Sequence, residues 1–225
     1  MLEAPSGTRI HFSAYVPDSY DGLRPYALFV TLPGWEGLYF QGVGENLRWE
    51  KFGQESIAYN DEMIVLAPQL DDWGQASADQ TIELVEHFLE HYNIDRGRVF
   101  IEGYSGGGET LSLVMGIRPE LFAAALAVSS QWDGNLPALA AARTPVRLFT
   151  GREDSYYGSS SFVETAERLR ELYAQVGLAE EEIDGLVILD VRDVSYFSER
   201  GYDNQHAGGL AAAFDEEVMG WLFSN

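Results

Sequence analysis

The chain has 225 residues, of which 46% are hydrophobic and 13% aromatic, so it is long enough to bury a large core and too apolar to be disordered. Its 36 acidic residues outnumber 14 basic ones and give a formal net charge of −22, which excludes nucleic acid as a partner because a phosphate backbone would be repelled. The sequence contains no cysteine, which excludes disulfides, thiolate chemistry and cysteine-based metal sites.

The sequence carries no run of apolar residues long enough to span a membrane, and its first five residues carry no export signal. Strand-like sequence begins close to the N-terminus, so a removed leader stays open. We therefore expect a soluble protein, cytoplasmic as the sequence stands and extracellular or in the cell envelope if a leader was removed. A homodimer also stays open.

The first third of the chain predicts an antiparallel edge followed by alternating strands and helices. Residues 8–16 alternate between apolar and polar side chains and precede a turn cluster, which is typical of an edge strand. Residues 26–32 are continuously apolar and end at the loop Pro33-Gly34-Trp35. Residues 46–59 are compatible with a helix, 63–67 with a strand, and Ser77 with Gln80 predicts a capping box that opens a helix over 78–92.

The alternation continues to the C-terminus. We predict strands at 99–101, 123–128, 146–150 and 186–191, and helices after the glycines at 106–108, at about 161–177 and at 209–223. This order predicts a mostly parallel, doubly wound sheet of about eight strands with helices on both faces. About fifteen residues separate the strand at 123–128 from the strand at 146–150, which is too few for an inserted cap domain. A single domain over residues 1–225 is expected.

The stretch that organises this prediction is Gly103-Tyr-Ser105-Gly-Gly107, between an apolar strand and a helix. This is the Gly-x-Ser-x-Gly pattern of a nucleophile elbow, in which the chain turns so sharply that the neighbours of the serine must lack side chains. The pattern alone is common. The strand before it and the helix after it favour Ser105 as a nucleophile.

A serine hydroxyl needs an imidazole to accept its proton and a carboxylate to orient that imidazole. In a parallel sheet these groups gather beyond the carboxyl ends of the strands. Asp154 follows the strand at 146–150 and His206 follows the strand at 186–191, which gives the order Ser105, Asp154, His206 that is found in α/β-hydrolases. Asp133 and Glu153 remain alternatives for the acid.

The sequence His87-Phe-Leu-Glu-His91 matches a zinc-protease pattern. We interpret these histidines as solvated, because Ile82, Val85 and Leu89 define the buried face of their helix. No metal and no cofactor is therefore predicted.

The elbow, the segment Gly151-x-x-Asp154 and His206 ahead of a Trp-Leu-Phe helix resemble the α/β-hydrolase superfamily over essentially the whole chain. Within it, the compact form and the run that begins Ser105-Gly-Gly-Gly resemble esterases related to feruloyl esterases and polyhydroxybutyrate depolymerases. The resemblance implies that Ser105 is the nucleophile, His206 the general base and then acid, and Asp154 the orienting acid. It also implies an oxyanion hole made of the backbone N–H groups of Gly106 and Trp35. The family usually has His-Gly before the second donor, where this chain has Pro33-Gly34.

Aromatic residues crowd the loops that would surround such a site, which predicts an open, shallow site for a small-molecule ester with an apolar or aromatic group. The loop aromatics are Trp35, Tyr39, Phe40, Trp73, Trp132, Tyr156, Tyr157, Tyr196, Phe197 and Tyr202. From them we predict a substrate-binding set of Trp35, Tyr39, Trp132, Tyr156, Tyr157 and Tyr202.

The leading function is therefore a serine carboxylic ester hydrolase that forms an acyl-serine intermediate on short-chain or aromatic esters. A serine peptidase of the prolyl-oligopeptidase type would use the same triad and is the first alternative. A non-catalytic binding protein on a hydrolase scaffold is the second.

Overall fold

The computed structural model describes residues 1–35 and 44–225. Within them, eight strands form one sheet in the order β1-β2-β4-β3-β5-β6-β7-β8. The strands are β1 (Leu2–Glu3), β2 (Arg9–Tyr15), β3 (Tyr26–Leu32), β4 (Met63–Gln69), β5 (Ile94–Tyr104), β6 (Ala124–Val128), β7 (Val146–Gly151) and β8 (Val187–Arg192). The pairs β1–β2 and β2–β4 are antiparallel and all others are parallel.

Helices connect these strands. They are α1 (Glu45–Trp49), α2 (Phe52–Glu55), α3 (Gln75–His91), α4 (Gly106–Ile117), α5 (Leu136–Ala142), α6 (Ser160–Gln175), α7 (Glu180–Leu186), α8 (Val194–Ser198), α9 (Gln205–Gly208) and α10 (Glu216–Phe223). Among the described residues, Ser56–Ala58, Pro119–Leu121 and Gly209–Phe214 form 3-10 segments. The predicted fold class, including its antiparallel N-terminal edge, is confirmed.

The sheet has an apolar core on each face, as alternation along its central strands requires. In β3, Leu28 and Val30 pack on the side of α3, α4 and α6, whereas Ala27 and Phe29 pack on the side of α2 and α10. All seven residues of β3 are buried, because a parallel strand covered on both faces has no solvent side. The connection between β6 and β7 holds α5 and no larger insertion, as predicted.

Three helices differ from their predicted bounds. The predicted capping box at Ser77 is wrong: α3 begins at Gln75, three residues before the predicted start at Ala78, and the Ser77 hydroxyl instead donates to Asp72. The predicted helix over 46–59 is interrupted at Lys51, whose φ of 69° is outside the helical region. The predicted last helix is divided at Asp215, whose side chain accepts hydrogen bonds from the backbone N–H groups that open α10. The interruptions at Lys51 and Asp215 therefore divide two predicted helices into shorter elements.

Across residues 1–35 and 44–225, none of the helices combines the length and apolar character needed to cross a membrane.

Candidate active site

Ser105 lies at the sharp turn between β5 and α4. Its φ of 55° and ψ of −126° are unusual for a residue with a side chain, as expected of a nucleophile elbow. The Ser105 N–H donates to the carbonyl of Val128 at 2.9 Å, which ties the turn to β6. A Cβ on Gly107 would lie 2.4 Å from the carbonyl oxygen of Leu32, so this turn has no room for a side chain there. The hydroxyl of Ser105 is thereby presented at the carboxyl end of the sheet.

His206 bridges Ser105 and Asp154. The Oγ of Ser105 lies 3.0 Å from Nε2 of His206, and Nδ1 of His206 lies 2.9 Å from Oδ2 of Asp154. With the Nδ1 proton donated to the carboxylate, Nε2 is left to accept the serine proton. The structure therefore brings together three residues that are separated by up to 101 positions in the chain.

The backbone at His206 is held by two neighbouring residues. Asn204 caps α9, its Oδ1 accepting from the N–H of His206 at 2.8 Å and of Ala207 at 3.1 Å. The Tyr104 hydroxyl donates to the His206 carbonyl at 3.1 Å, and the two rings stack with centroids 5.5 Å apart. Sequence reasoning missed both residues, although an asparagine two positions before His206 is a recognisable cap signal.

Asp154 has a fully buried side chain that is satisfied on both oxygens. Its Oδ1 accepts from the N–H groups of Tyr156 at 2.8 Å and Tyr157 at 2.9 Å, while Oδ2 faces His206. Burial acts to raise the pKa of this carboxyl, but the hydrogen bonds from His206 and from the two N–H groups outweigh it and leave the pKa below its usual value. Asp154 is thus ionised under neutral conditions.

The two alternative acids lie elsewhere. Oδ2 of Asp133 accepts from Nε2 of Gln131 at 3.1 Å. The backbone N–H of Glu153 donates to the side chain of Gln205 at 2.8 Å. Among the residues that the structure describes, Asp154 alone forms an ion-pair contact with His206.

A cavity of about 320 Å³ opens beside Ser105. Its lining residues are Trp35, Trp73, Tyr104, Ser105, Tyr156, Tyr157, His206 and Ala207. This lining includes Trp35, Tyr156 and Tyr157 of the predicted substrate-binding set, whose contact with a substrate stays a prediction. A larger cleft of about 470 Å³ beside α3 shares none of these lining residues and has no histidine.

Of the predicted substrate-binding set, Trp132 and Tyr202 are not in this lining. Tyr39 lies outside the described residues. Trp132 packs against the core on the α3 side and its backbone N–H donates to the Ser161 hydroxyl, whereas Tyr202 packs against the core on the opposite face. Trp132 and Tyr202 therefore contribute to the hydrophobic layers and not to the cavity. Trp73, which the predicted set did not include, lines the cavity.

The Tyr157 hydroxyl donates to Oε1 of Glu109, in the first turn of α4. Sequence reasoning also missed Glu109. Burial, followed by the hydrogen bond to Glu109, raises the pKa of the Tyr157 phenol well above its usual value. The phenol therefore stays protonated and serves as a donor beside the nucleophile.

The fold compares closely with that of solved esterases. A thermostable esterase superposes with a TM-score of 0.80 over 99% of this chain and 61% of its own, at 22% sequence identity. The chain has the α/β-hydrolase fold. Oligopeptidase B from Leishmania major shares the fold at a TM-score of 0.61 and 15% identity, covering 97% of this chain and 36% of the oligopeptidase.

Sequence comparison gives matches that each cover part of this chain. The profile of the prolyl oligopeptidase family matches residues 70–170, which include Ser105 and Asp154 but not His206. Acetylxylan esterase A from Emericella nidulans is 23% identical over 118 residues, which are 52% of this chain and 34% of the esterase. The chain spans about a third of the length of the curated relatives it matches.

The two histidines of the zinc-protease pattern, His87 and His91, lie on α3. The rings of His87 and His91 stack with centroids 4.2 Å apart, and Nδ1 of His91 lies 2.9 Å from the carbonyl of His87. Burial, and then the neighbouring His91, lower the pKa of His87. Within residues 1–35 and 44–225, no three histidine, aspartate or glutamate side chains are grouped so that they could hold a metal ion.

Proposed function

We propose that this α/β-hydrolase is a serine carboxylic ester hydrolase that forms an acyl-serine intermediate. The observation that carries the proposal is the continuous contact from Ser105 Oγ through His206 to the buried Asp154 at the edge of an open cavity. The similarity to acetylxylan esterases supports ester hydrolysis as the reaction. The fold by itself does not support one reaction over another, because the same fold hosts several activities.

The reaction proceeds in two halves. Ser105 Oγ attacks the ester carbonyl while its proton passes to Nε2 of His206, and the carbonyl electrons move onto oxygen. Collapse of this tetrahedral intermediate releases the alcohol, which takes the proton from His206, and leaves the acyl group on Ser105. Water then repeats the sequence, with His206 as base, and returns the free serine and a carboxylic acid. Asp154 keeps the imidazole in the required tautomer and stabilises its cationic form.

We assign the oxyanion hole to the backbone N–H groups of Gly106 and Trp35. Gly106 is the first residue of α4, where N–H groups have no partner within the helix and the helix dipole favours negative charge. Trp35 follows β3 and lines the cavity with Ser105. In α/β-hydrolases the two donors come from these same positions, the residue after the nucleophile and the loop after the third strand.

We further propose a preference for short-chain or aromatic acyl groups. A cavity of about 320 Å³ is at the small end of the range for ligand sites, about 300–1,000 Å³, and Trp35, Trp73 and Tyr156 give it apolar walls. The acetyl group removed by enzymes named for acetylxylan is short enough to fit it. Long acyl chains would extend into water and gain no burial.

The test compares kcat/KM for p-nitrophenyl esters from acetate to palmitate, with methyl ferulate and an acetylated xylo-oligosaccharide alongside. A buried methylene contributes about 0.8 kcal/mol, so a long apolar groove would make efficiency rise with chain length. We expect it to fall beyond about four carbons. A maximum at palmitate would contradict the short-chain site.

Peptide hydrolysis is the second candidate, favoured by the match of residues 70–170 to the prolyl oligopeptidase family. The panel therefore includes a prolyl-arylamide, and faster cleavage of this amide than of the esters would replace the esterase proposal. Labelling by a fluorophosphonate, with Ser105→Ala as the control, tests the nucleophile independently of substrate. Absence of labelling at Ser105 would favour a non-catalytic binding protein.

A further inference from the structure

The peptide unit that joins Pro33 to Gly34 is held on both sides. Its carbonyl oxygen accepts a hydrogen bond from Nε1 of Trp73 at 3.2 Å, and its N–H donates to Oε1 of Glu50 at 2.7 Å. The carbonyl and the N–H belong to one rigid plane. Rotation of that plane would break both hydrogen bonds at once, so the plane has a single favourable orientation.

The two side chains that hold this peptide plane, Glu50 and Trp73, are themselves packed within the fold. Glu50 is almost fully buried, with 1% of its surface exposed, so its hydrogen bond with the N–H of Gly34 operates in a region of low dielectric constant. Trp73 is a rigid, half-buried ring that packs against the apolar core on the α3 side. Neither residue belongs to β3 or to its loop, so each connects that loop to another part of the fold.

Trp73 also contacts Gly106, the residue that follows the nucleophile Ser105. A Cβ placed on Gly106 would lie 2.1 Å from Cε2 of the Trp73 indole, which means that the ring lies directly on the backbone of Gly106. One side chain therefore contacts Gly106 with its face and hydrogen-bonds the Pro33 carbonyl with its edge. The ring thus joins the two backbone segments that carry the assigned oxyanion donors.

We propose that Trp73 and Glu50 are positioning residues for the oxyanion hole. They orient the Pro33–Gly34 peptide, from which the N–H of Trp35 follows, and Trp73 fixes the separation of that N–H from the N–H of Gly106. Both donors must lie about 2.7–3.1 Å from the developing oxyanion, and a displaced loop would lose that geometry while leaving Ser105 and His206 in place. This inference rests on the proposed function.

The test uses Trp73→Phe, which keeps an aromatic ring and removes the indole N–H, and Glu50→Leu, which removes the acceptor. For each variant, kcat and KM are measured with p-nitrophenyl acetate, together with the inhibition constant of a methyl trifluoromethyl ketone that forms a tetrahedral adduct on serine. Matched controls are Glu50→Gln, which retains an oxygen acceptor, and Trp49→Phe, which removes an indole N–H that donates to Glu45 at 2.9 Å on the exposed helix α1.

We expect Trp73→Phe and Glu50→Leu to lower kcat by about tenfold to a hundredfold, less than the 10²–10³ that follows loss of a donor itself. KM should stay within about threefold, and the ketone should bind more weakly by the same factor by which kcat falls. The pH profile of kcat/KM should keep its shape, because the His206–Asp154 pair is untouched. Trp49→Phe should match the wild type, and Glu50→Gln should recover most of the activity.

The outcomes separate this inference from the function on which it rests. An active wild type with unchanged kcat and ketone affinity in both variants would overturn the positioning role and leave the esterase proposal standing. A rise in KM alone would also overturn it, because Trp73 would then act only as a wall of the substrate cavity and not as a positioning residue. A wild type that neither hydrolyses esters nor reacts with a fluorophosphonate at Ser105 would overturn both.

Should Trp73→Phe fail to fold, replacement of Trp73 by β-(benzothien-3-yl)alanine keeps the ring on Gly106 and exchanges only the N–H for sulfur. The same fall in kcat with an unchanged KM is expected. Wild-type kinetics in this variant would overturn the role of the indole hydrogen bond.

Discussion

The turn at Ser105 and the helix α3 both carry sequence patterns of hydrolases, but the fold treats them differently. At the turn, Ser105 meets an imidazole and a carboxylate that come from two other loops, at 3.0 and 2.9 Å. On α3, His87 and His91 come from adjacent turns of one helix and stack on each other at 4.2 Å. A local helical pattern can place two side chains one turn apart, whereas the other groups of a catalytic site come from loops that only the fold brings together.

The surroundings of the two regions differ as well. Asp154 is buried and receives hydrogen bonds on both oxygens, so its charge is directed at His206. The glutamates beside His87 and His91 lie on a partly exposed helix face, where water screens their charge.

Replacement of Ser105 or His206 by alanine should lower kcat/KM for p-nitrophenyl acetate by about 10⁴-fold or more, because either change interrupts the proton transfer. The double variant should lose little beyond that, since the two residues act as a unit. Circular dichroism and thermal unfolding would check that the fold is intact. Retention of more than about a tenth of the wild-type rate would contradict the assignment of the triad.

Asp154→Asn should cost about 10³- to 10⁴-fold in kcat, because the amide favours the imidazole tautomer that cannot accept the serine proton. Asp133→Asn and Glu153→Gln serve as matched controls and should stay within about threefold of the wild type. All three are to be measured side by side at one pH. A deeper loss at Asp133 than at Asp154 would move the acid to the loop after β6.

Gly107→Ala should destabilise the protein by about 1–3 kcal/mol, because its Cβ would overlap the Leu32 carbonyl at 2.4 Å and force the backbone apart. The control is Gly185→Ala on α7, where a Cβ meets nothing within 4 Å and alanine should stabilise by about 0.5–1 kcal/mol. Urea unfolding measures both free energies of unfolding. Equal stability of Gly107→Ala and wild type would show that the turn can relax.

His87→Ala and His91→Ala should leave esterase activity within about twofold of the wild type, and dialysis against EDTA should have no lasting effect. The reason is that neither imidazole lines the cavity at Ser105. Rates are compared before and after dialysis, with zinc added back as a further arm. Inactivation that added zinc reverses would contradict this prediction and indicate a functional metal site on α3.

The sequence determined much of the fold because its signals are local. Buried strands such as Tyr26–Leu32 are continuously apolar, and the glycines around Ser105 are required by a turn that tolerates no side chain. The order of Ser105, Asp154 and His206, combined with the rule that parallel strands place their carboxyl ends at one edge, was enough to predict which residues would meet. Their catalytic roles stay predictions until the kinetics are measured.

Only the tertiary structure decided which loop aromatics face the cavity. Trp73 lies in it, whereas Trp132 and Tyr202 pack on opposite faces of the sheet, and nothing in their local sequences separates these cases. The direction of a loop side chain depends on contacts with distant segments, as when Trp73 meets Pro33, 40 positions away. The same holds for Glu50 and Glu109, acidic residues in a sequence with many others, whose contacts with Gly34 and Tyr157 exist only once the strands have aligned.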